Sequence, residues 1–148
     1  MCFNFLSIAA LVSVATSVST QAGFCPEALH FGSVIVSLTT LSPGESFTVT
    51  ANLTCAVELG DTPTFLDYYI NGVSEANIGG PILIVRRTYD ATTMPPADQF
   101  TAVLPAWFYN TDAQYSLRMD NSFAKPGPTG ESVITVGGVS TGITITGL

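Results

Sequence analysis

Between Gly44 and Cys55 polar and apolar residues alternate without a break. Phe47, Val49, Ala51, Leu53 and Cys55 fall on one side of an extended strand, and Ser46, Thr48, Thr50, Asn52 and Thr54 on the other. The pattern predicts one half-buried strand running through Cys55. Upstream, Phe31 to Leu38 is rich in β-branched residues and reads as a strand from Ser33 onward, with Leu41 to Glu45 as the turn, where Pro43 fixes φ and Gly44 accepts a positive one. Val57 to Pro63 is a loop. Phe65 to Ile70 places Leu66, Tyr68 and Ile70 on a core face with Asp67 and Tyr69 outward, and Asn71-Gly72 then signals a turn.

Ile82 to Tyr89 is apolar on both faces at its start and reads as a central strand. Thr92 to Ala97 is a loop and Gln99 to Leu104 a short strand. Gln114 to Asp120 alternates, with Tyr115, Leu117 and Met119 inward. Lys125 to Gly130 is turn sequence, and Ser132 to Thr146 supplies a last strand or two, kinked near Gly137-Gly138. These seven to eight short strands, with no segment of helical period, predict an all-β fold, an antiparallel β-sandwich of immunoglobulin-like type.

The first residues change the picture. Phe3 to Val14 is almost wholly apolar and gives way to a Ser/Thr-rich stretch ending at Thr20-Gln21-Ala22-Gly23, the layout of a signal peptide over residues 1–22 cleaved after Ala22. Ser and Thr interrupt the run too early for a membrane span, and no later segment qualifies as one. Residues 23–148 then form a single β-sandwich domain, a length that suits one core. Four Lys and Arg against eleven Asp and Glu give a net charge of -7, which repels phosphate backbones and excludes nucleic acid as a partner.

Of the three cysteines, Cys2 leaves with the signal peptide, so Cys25 and Cys55 form an even pair. In an oxidising compartment they are expected to form one disulfide, contributing roughly 2 to 4 kcal/mol. Asn52-Leu53-Thr54 is the one usable N-glycosylation sequon, and it stands on the water side of its strand.

Thr111 to Leu117 resembles the sixth-strand region of immunoglobulin and fibronectin type III domains. That resemblance implies that the Tyr115 hydroxyl folds back to the upstream backbone. Leu117 stands where antibody domains carry their second cysteine, so their inter-sheet disulfide is missing. More broadly, the secretory signal, the Ser-Pro-Gly turn before FTVTANLT, the strand ending in Leu104-Pro105 and the YSLRM strand resemble the small sandwich domain of fungal cell-wall proteins of the Kre9/Knh1 type. They are also similar to small secreted proteins of basidiomycete fungi. The resemblance implies a wall-associated protein connected with β-glucan assembly, without a reaction of its own.

Candidate chemistry is sparse. His30 is the sole histidine, and no Gly-x-Ser-x-Gly elbow accompanies it, which argues against a Ser-His-Asp triad. One histidine and a bridged cysteine pair cannot fill a zinc site, and cleavage after Ala22 exposes Gly23 rather than a copper-binding histidine. The acids are spread over turns and loops, with no Asp-x-Asp-x-Asp calcium loop and no evident pair for glycoside hydrolysis. Arg86, Arg87 and Arg118 are expected to pair with outward acids such as Asp67 or Asp120.

Aromatic residues are the remaining lead. Pro105 to Tyr109 carries Trp107, Phe108 and Tyr109 in a connection, and with Tyr69 they form the candidate contact surface. The sequence thus reads as a secreted, non-catalytic protein of the cell wall or cell surface, with no cofactor and no metal, binding a wall polysaccharide or an extracellular protein. The rival readings are an effector docking to a host protein and a small polysaccharide-active enzyme using paired carboxylates. No feature fixes an oligomeric state.

Overall fold

The computed structural model describes residues 24–72, 80–111 and 113–147. The proposed signal peptide over residues 1–22, and the acids Glu75 and Asp112, lie outside the described residues. Eight strands follow in order: β1 (Ser33–Val36), β2 (Thr40–Leu41), β3 (Ser46–Asn52), β4 (Phe65–Gly72), β5 (Ile82–Thr88), β6 (Ala97–Val103), β7 (Tyr115–Pro126) and β8 (Ser132–Ile145). One helical turn, α1 (Thr54–Glu58), and a short 3-10 turn at Glu27–Leu29 are the described helical elements. The strands form a three-stranded sheet of order β1-β3-β6 and a five-stranded sheet of order β2-β8-β7-β4-β5. Pairing is antiparallel except for β2, which lies parallel to the end of β8. The chain therefore changes sheets between β1 and β2, and the result is the expected immunoglobulin-like sandwich with one parallel edge pair.

Alternation decides the core. Phe47, Val49 and Ala51 from β3 meet Leu66, Tyr68 and Ile70 from β4 and Tyr115, Leu117 and Met119 from β7, all buried, while their sequence neighbours face outward. Gly44 takes φ +85° in the turn before β3, and its N–H donates to the Leu104 carbonyl at 2.8 Å.

Several expectations are corrected. The strand expected to run through Cys55 stops at Asn52, whose Oδ1 accepts the Thr54 N–H at 3.0 Å; this local turn reverses the backbone and α1 follows. Asn71 and Gly72 are not a turn but the end of β4, because the first residues of β7, Ser116 and Tyr115, pair with them. Ile82–Thr88 is an edge strand, not a central one. A bulge between Tyr68 and Tyr69 leaves Ile84 as an extra residue, so the apolar run reflects a shift of register rather than burial on both faces.

Gly137 and Gly138 do not kink the last segment, which is one continuous strand in register with β7. They allow close approach instead. A Cβ at Gly137 would overlap the Phe31 ring, and one at Gly138 would overlap the Asp120 carboxylate.

Candidate functional site

The connection from Leu104 to Gln114 carries most of the candidate surface, and two tyrosines fix its path from beneath. The Tyr115 hydroxyl accepts the Asn110 N–H at 2.6 Å, the fold-back expected from the immunoglobulin-like pattern. The Tyr109 hydroxyl donates to the Pro105 carbonyl at 3.0 Å, and its ring meets Tyr115 edge-on with centroids 5.5 Å apart. Tyr109, expected to belong to the contact surface, is only 7% exposed; it is part of the support beneath that surface. Burial pushes its hydroxyl pKa up, so it remains a hydrogen-bond donor.

Trp107 and Phe108 are what the support presents. They are 55% and 87% exposed, with rings 5.9 Å apart and edge-on. Trp107 borders a hollow of about 230 Å³ with Gly80, Pro81 and Ile82 at the start of β5. Tyr69 stands elsewhere, on the outer face of the five-stranded sheet beside Arg118 on β7 and Leu83 on β5.

That outer face is laid out in rows across the strands. Arg86 on β5 donates through Nε and Nη2 to both oxygens of Asp67 on β4, at 2.7 Å each, and covers its carboxylate almost completely. The hydrogen bonds from Arg86 hold the Asp67 carboxyl below its ordinary range despite burial. Arg118 Nε donates to Asp120 at 2.6 Å. Burial, followed by the charges of Asp67 and Asp120, raises the Tyr69 phenol and keeps it protonated.

Beyond this row the face opens into a groove of about 790 Å³, at the end where β4 and β8 finish and β7 begins. Its lining is mixed: Thr39, Asn71, Thr111, Gln114, Ser116, Ser140 and Thr144 bring hydroxyl and amide groups, Ala113, Tyr115 and Ile143 bring apolar surface, and Gly72 and Gly142 lie among them. Arg118 is its one charged residue among the described residues, and it is occupied by Asp120. Asn71 Oδ1 is buried in the groove wall without a hydrogen-bond partner. A Cβ on Gly142 would meet nothing within 4 Å, so the space above it is open.

The groove was not foreseen. Its sequence signal is a row of small residues, Ser116, Ser140 and Gly142, at outward positions of β7 and β8. Thr111 and Gln114 come from the same connection as Trp107 and Phe108, so one loop serves both the aromatic pair and the groove.

Cys25 and Cys55 form the expected disulfide, with Cα atoms 5.3 Å apart. Glu58 Oε2 lies 3.0 Å from Cys25 Sγ; a bridged sulfur carries no proton, so this is a contact rather than a hydrogen bond. Asn52 is exposed beside this bridge, on a hollow of about 270 Å³ that Phe24, Leu29 and Thr54 also line.

The described acids do not converge on one place. Arg87 Nε reaches Asp98 at 2.8 Å, inward between the sheets rather than outward as expected, and the Tyr68 hydroxyl donates to the same carboxylate at 2.9 Å. Lys125 Nζ lies 2.6 Å from the buried Asp61 Oδ1, an ion pair without hydrogen-bond alignment. Asp90 accepts from Thr92 and Glu131 from Thr129, which lowers the pKa of each carboxyl. His30 packs against the Glu27 carbonyl through Nδ1. Among the described residues no group of three His, Cys, Asp or Glu side chains is placed to hold a metal ion.

No protein-family model and no curated protein matches this chain. Among solved structures it is similar to the superoxide reductase (neelaredoxin) from Ignicoccus hospitalis. The two share 9% sequence identity over 77% of this chain and 80% of that chain, with a TM-score of 0.42.

Proposed function

We propose that this protein is an extracellular, non-catalytic recognition domain that binds a neutral glycan in the groove above Ser116 and Gly142, with Trp107 and Phe108 as an adjoining contact surface. The lining of the groove carries the reading. Hydroxyl and amide groups beside the apolar surface of Ala113, Tyr115 and Ile143, with no unpaired charge among the described residues, suit the hydroxyls and the C–H faces of a neutral sugar.

A non-catalytic role is favoured by the acids. Among the described residues, the aspartates on the strands are each held by a cation, and no carboxylate lines the groove. An extracellular location is favoured by the Cys25–Cys55 bond, since such bonds persist in oxidising compartments. Among the described residues no helix is long and apolar enough to cross a membrane. In this reading residues 1–22 are a signal peptide, Asn52 carries an N-glycan, and the wall-protein resemblance of the sequence points to β-glucan as the first ligand to test.

Retention on insoluble β-glucan and on chitin provides the test. The natural chain is expected to be retained on at least one of them. Gly142→Leu, which fills the groove without touching the fold, should abolish retention, and Asn71→Ala should weaken it about tenfold, the net worth of a hydrogen bond or so. Absence of retention on either polymer, or retention indifferent to Gly142→Leu, overturns the groove as a glycan site. The 87% exposure of Phe108 favours a second reading, in which a protein partner docks on the aromatic pair. Retention lost in Phe108→Ala and Trp107→Ala but kept in Gly142→Leu would favour that surface.

A further inference from the structure

The five-stranded sheet ends on β8 for most of its length, since β2 covers only Thr144 and Ile145. The bonds to β2 show which backbone groups face this edge. Thr144 N–H donates to the Thr39 carbonyl at 2.7 Å and Thr146 N–H to the Leu41 carbonyl at 2.8 Å. The register between β7 and β8 is unbroken, so the groups of Ile134, Val136, Gly138, Ser140 and Gly142 face the same way. Among the described residues no strand pairs with them on that side.

Edge strands of monomeric proteins are usually blunted by a lysine, a proline, a bulge or an inward charge. From Ser132 to Ile145 β8 has no charged residue, no proline and no break in register, and it exposes Ile134 by 62% and Val136 by 56%. The strand is a long, uncharged edge without a bulge, on a chain of net charge -7.

We infer that β8 is a docking edge for a second copy of this chain, which pairs antiparallel through residues 134–142 to make one continuous ten-stranded sheet. Two features select this occupant. Antiparallel pairing of one strand with itself is self-complementary about a two-fold axis, as a closed dimer requires. The large residues Ile134 and Val136 of one copy are also set toward the Gly138 to Gly142 half of the other, so bulk meets glycine and serine on the outer face. Arg118 and Asp120 on the neighbouring β7 neutralise each other within each copy, so the outer face beside this edge carries no unpaired charge from them. Gly142 also borders the groove, and pairing therefore adds a wall to it.

Sedimentation of the full chain over a range of concentrations, with amide hydrogen exchange, tests the inference. A dimer is expected, with protection at residues 134, 136, 138, 140 and 142 that grows with protein concentration. Ser140→Pro removes an edge-facing N–H without touching the β7 ladder, and should raise the dimer dissociation constant by about tenfold or more. Ile134→Lys, on an exposed side chain, should do the same should the proline variant fold poorly. A monomer at the highest soluble concentration overturns the inference. So does a dimer that survives both substitutions, or one whose protected amides lie elsewhere, as in docking through Trp107 and Phe108.

Discussion

The two flanks of the sandwich are closed by different means. On the flank where β5 faces β6, the sheets are joined by charge. Arg87 on the core side of β5 reaches the Asp98 carboxylate on β6, Tyr68 on β4 donates to the same carboxylate, and the guanidinium lies 4.9 Å above the Phe100 ring. On the flank where β1 faces β8, closure is steric. The Phe31 ring fits over the bare backbone of Gly137 and lies 6.1 Å from Phe123, while β2 crosses to the other sheet to pair with β8. A charged clasp fixes a separation between the sheets and protects its edge. The close-packed closure puts no ion pair between β1 and β8, and among the described residues β2 alone pairs with the outer edge of β8.

The largest expected effect breaks the first flank. Arg87→Met leaves Asp98, whose side chain is 12% exposed, with a hydroxyl as its remaining partner, and should cost about 3 kcal/mol, the lower end for breaking a buried pair. Urea unfolding measures it, and a cost below about 1 kcal/mol would show that the clasp is ornamental rather than structural. Restoring neutrality with Arg87→Met/Asp98→Asn should recover much of the loss.

On the second flank, Gly137→Ala should cost about 1 to 3 kcal/mol, because the new methyl overlaps the Phe31 ring. If the two sites are coupled, Gly137→Ala combined with Phe31→Leu loses less than the sum of the single changes. Additivity would mean that the ring is not what Gly137 accommodates.

The smallest effect lies on the outer face, away from both flanks. Hydrogen bonds from Arg86 depress the Asp67 carboxyl, so the unfolded chain takes up this proton more readily than the folded one. The resulting stability is fully present above the ordinary carboxylate range and is lost as pH falls from there toward the depressed pKa. Arg86→Gln should flatten the dependence of stability on pH within that acidic window and leave it unchanged near neutrality. An unaltered acid limb in thermal unfolding would remove the pair from the account.

The faces of the strands were legible because side-chain direction follows from local backbone geometry. Leu66, Tyr68 and Ile70, or Tyr115, Leu117 and Met119, needed only a period of two. The Tyr115 fold-back, which spans five residues, was expected from the resemblance to immunoglobulin and fibronectin type III domains rather than from alternation. In Trp107-Phe108-Tyr109 that logic fails: the segment is not pleated, and Tyr109 is buried by a bond to Pro105 and a ring contact with Tyr115 that no alternation encodes. The edge position of β5 was hidden by its bulge. The groove was hidden because its walls come from Thr39, Asn71, Gln114 and Ser140, segments far apart in the chain.

What the amino-acid order determined alone was the all-β class, the inward and outward sets on β3, β4 and β7, the cysteine pair and the turn at Gly44. Each depends on a few neighbouring residues or on simple counting. Strand order, the sheet change at β2, the inward turn of Arg87, the groove and the open edge of β8 were decided by tertiary structure. They depend on which distant strands pair, and that choice is made by the summed packing of the whole core rather than by any one segment.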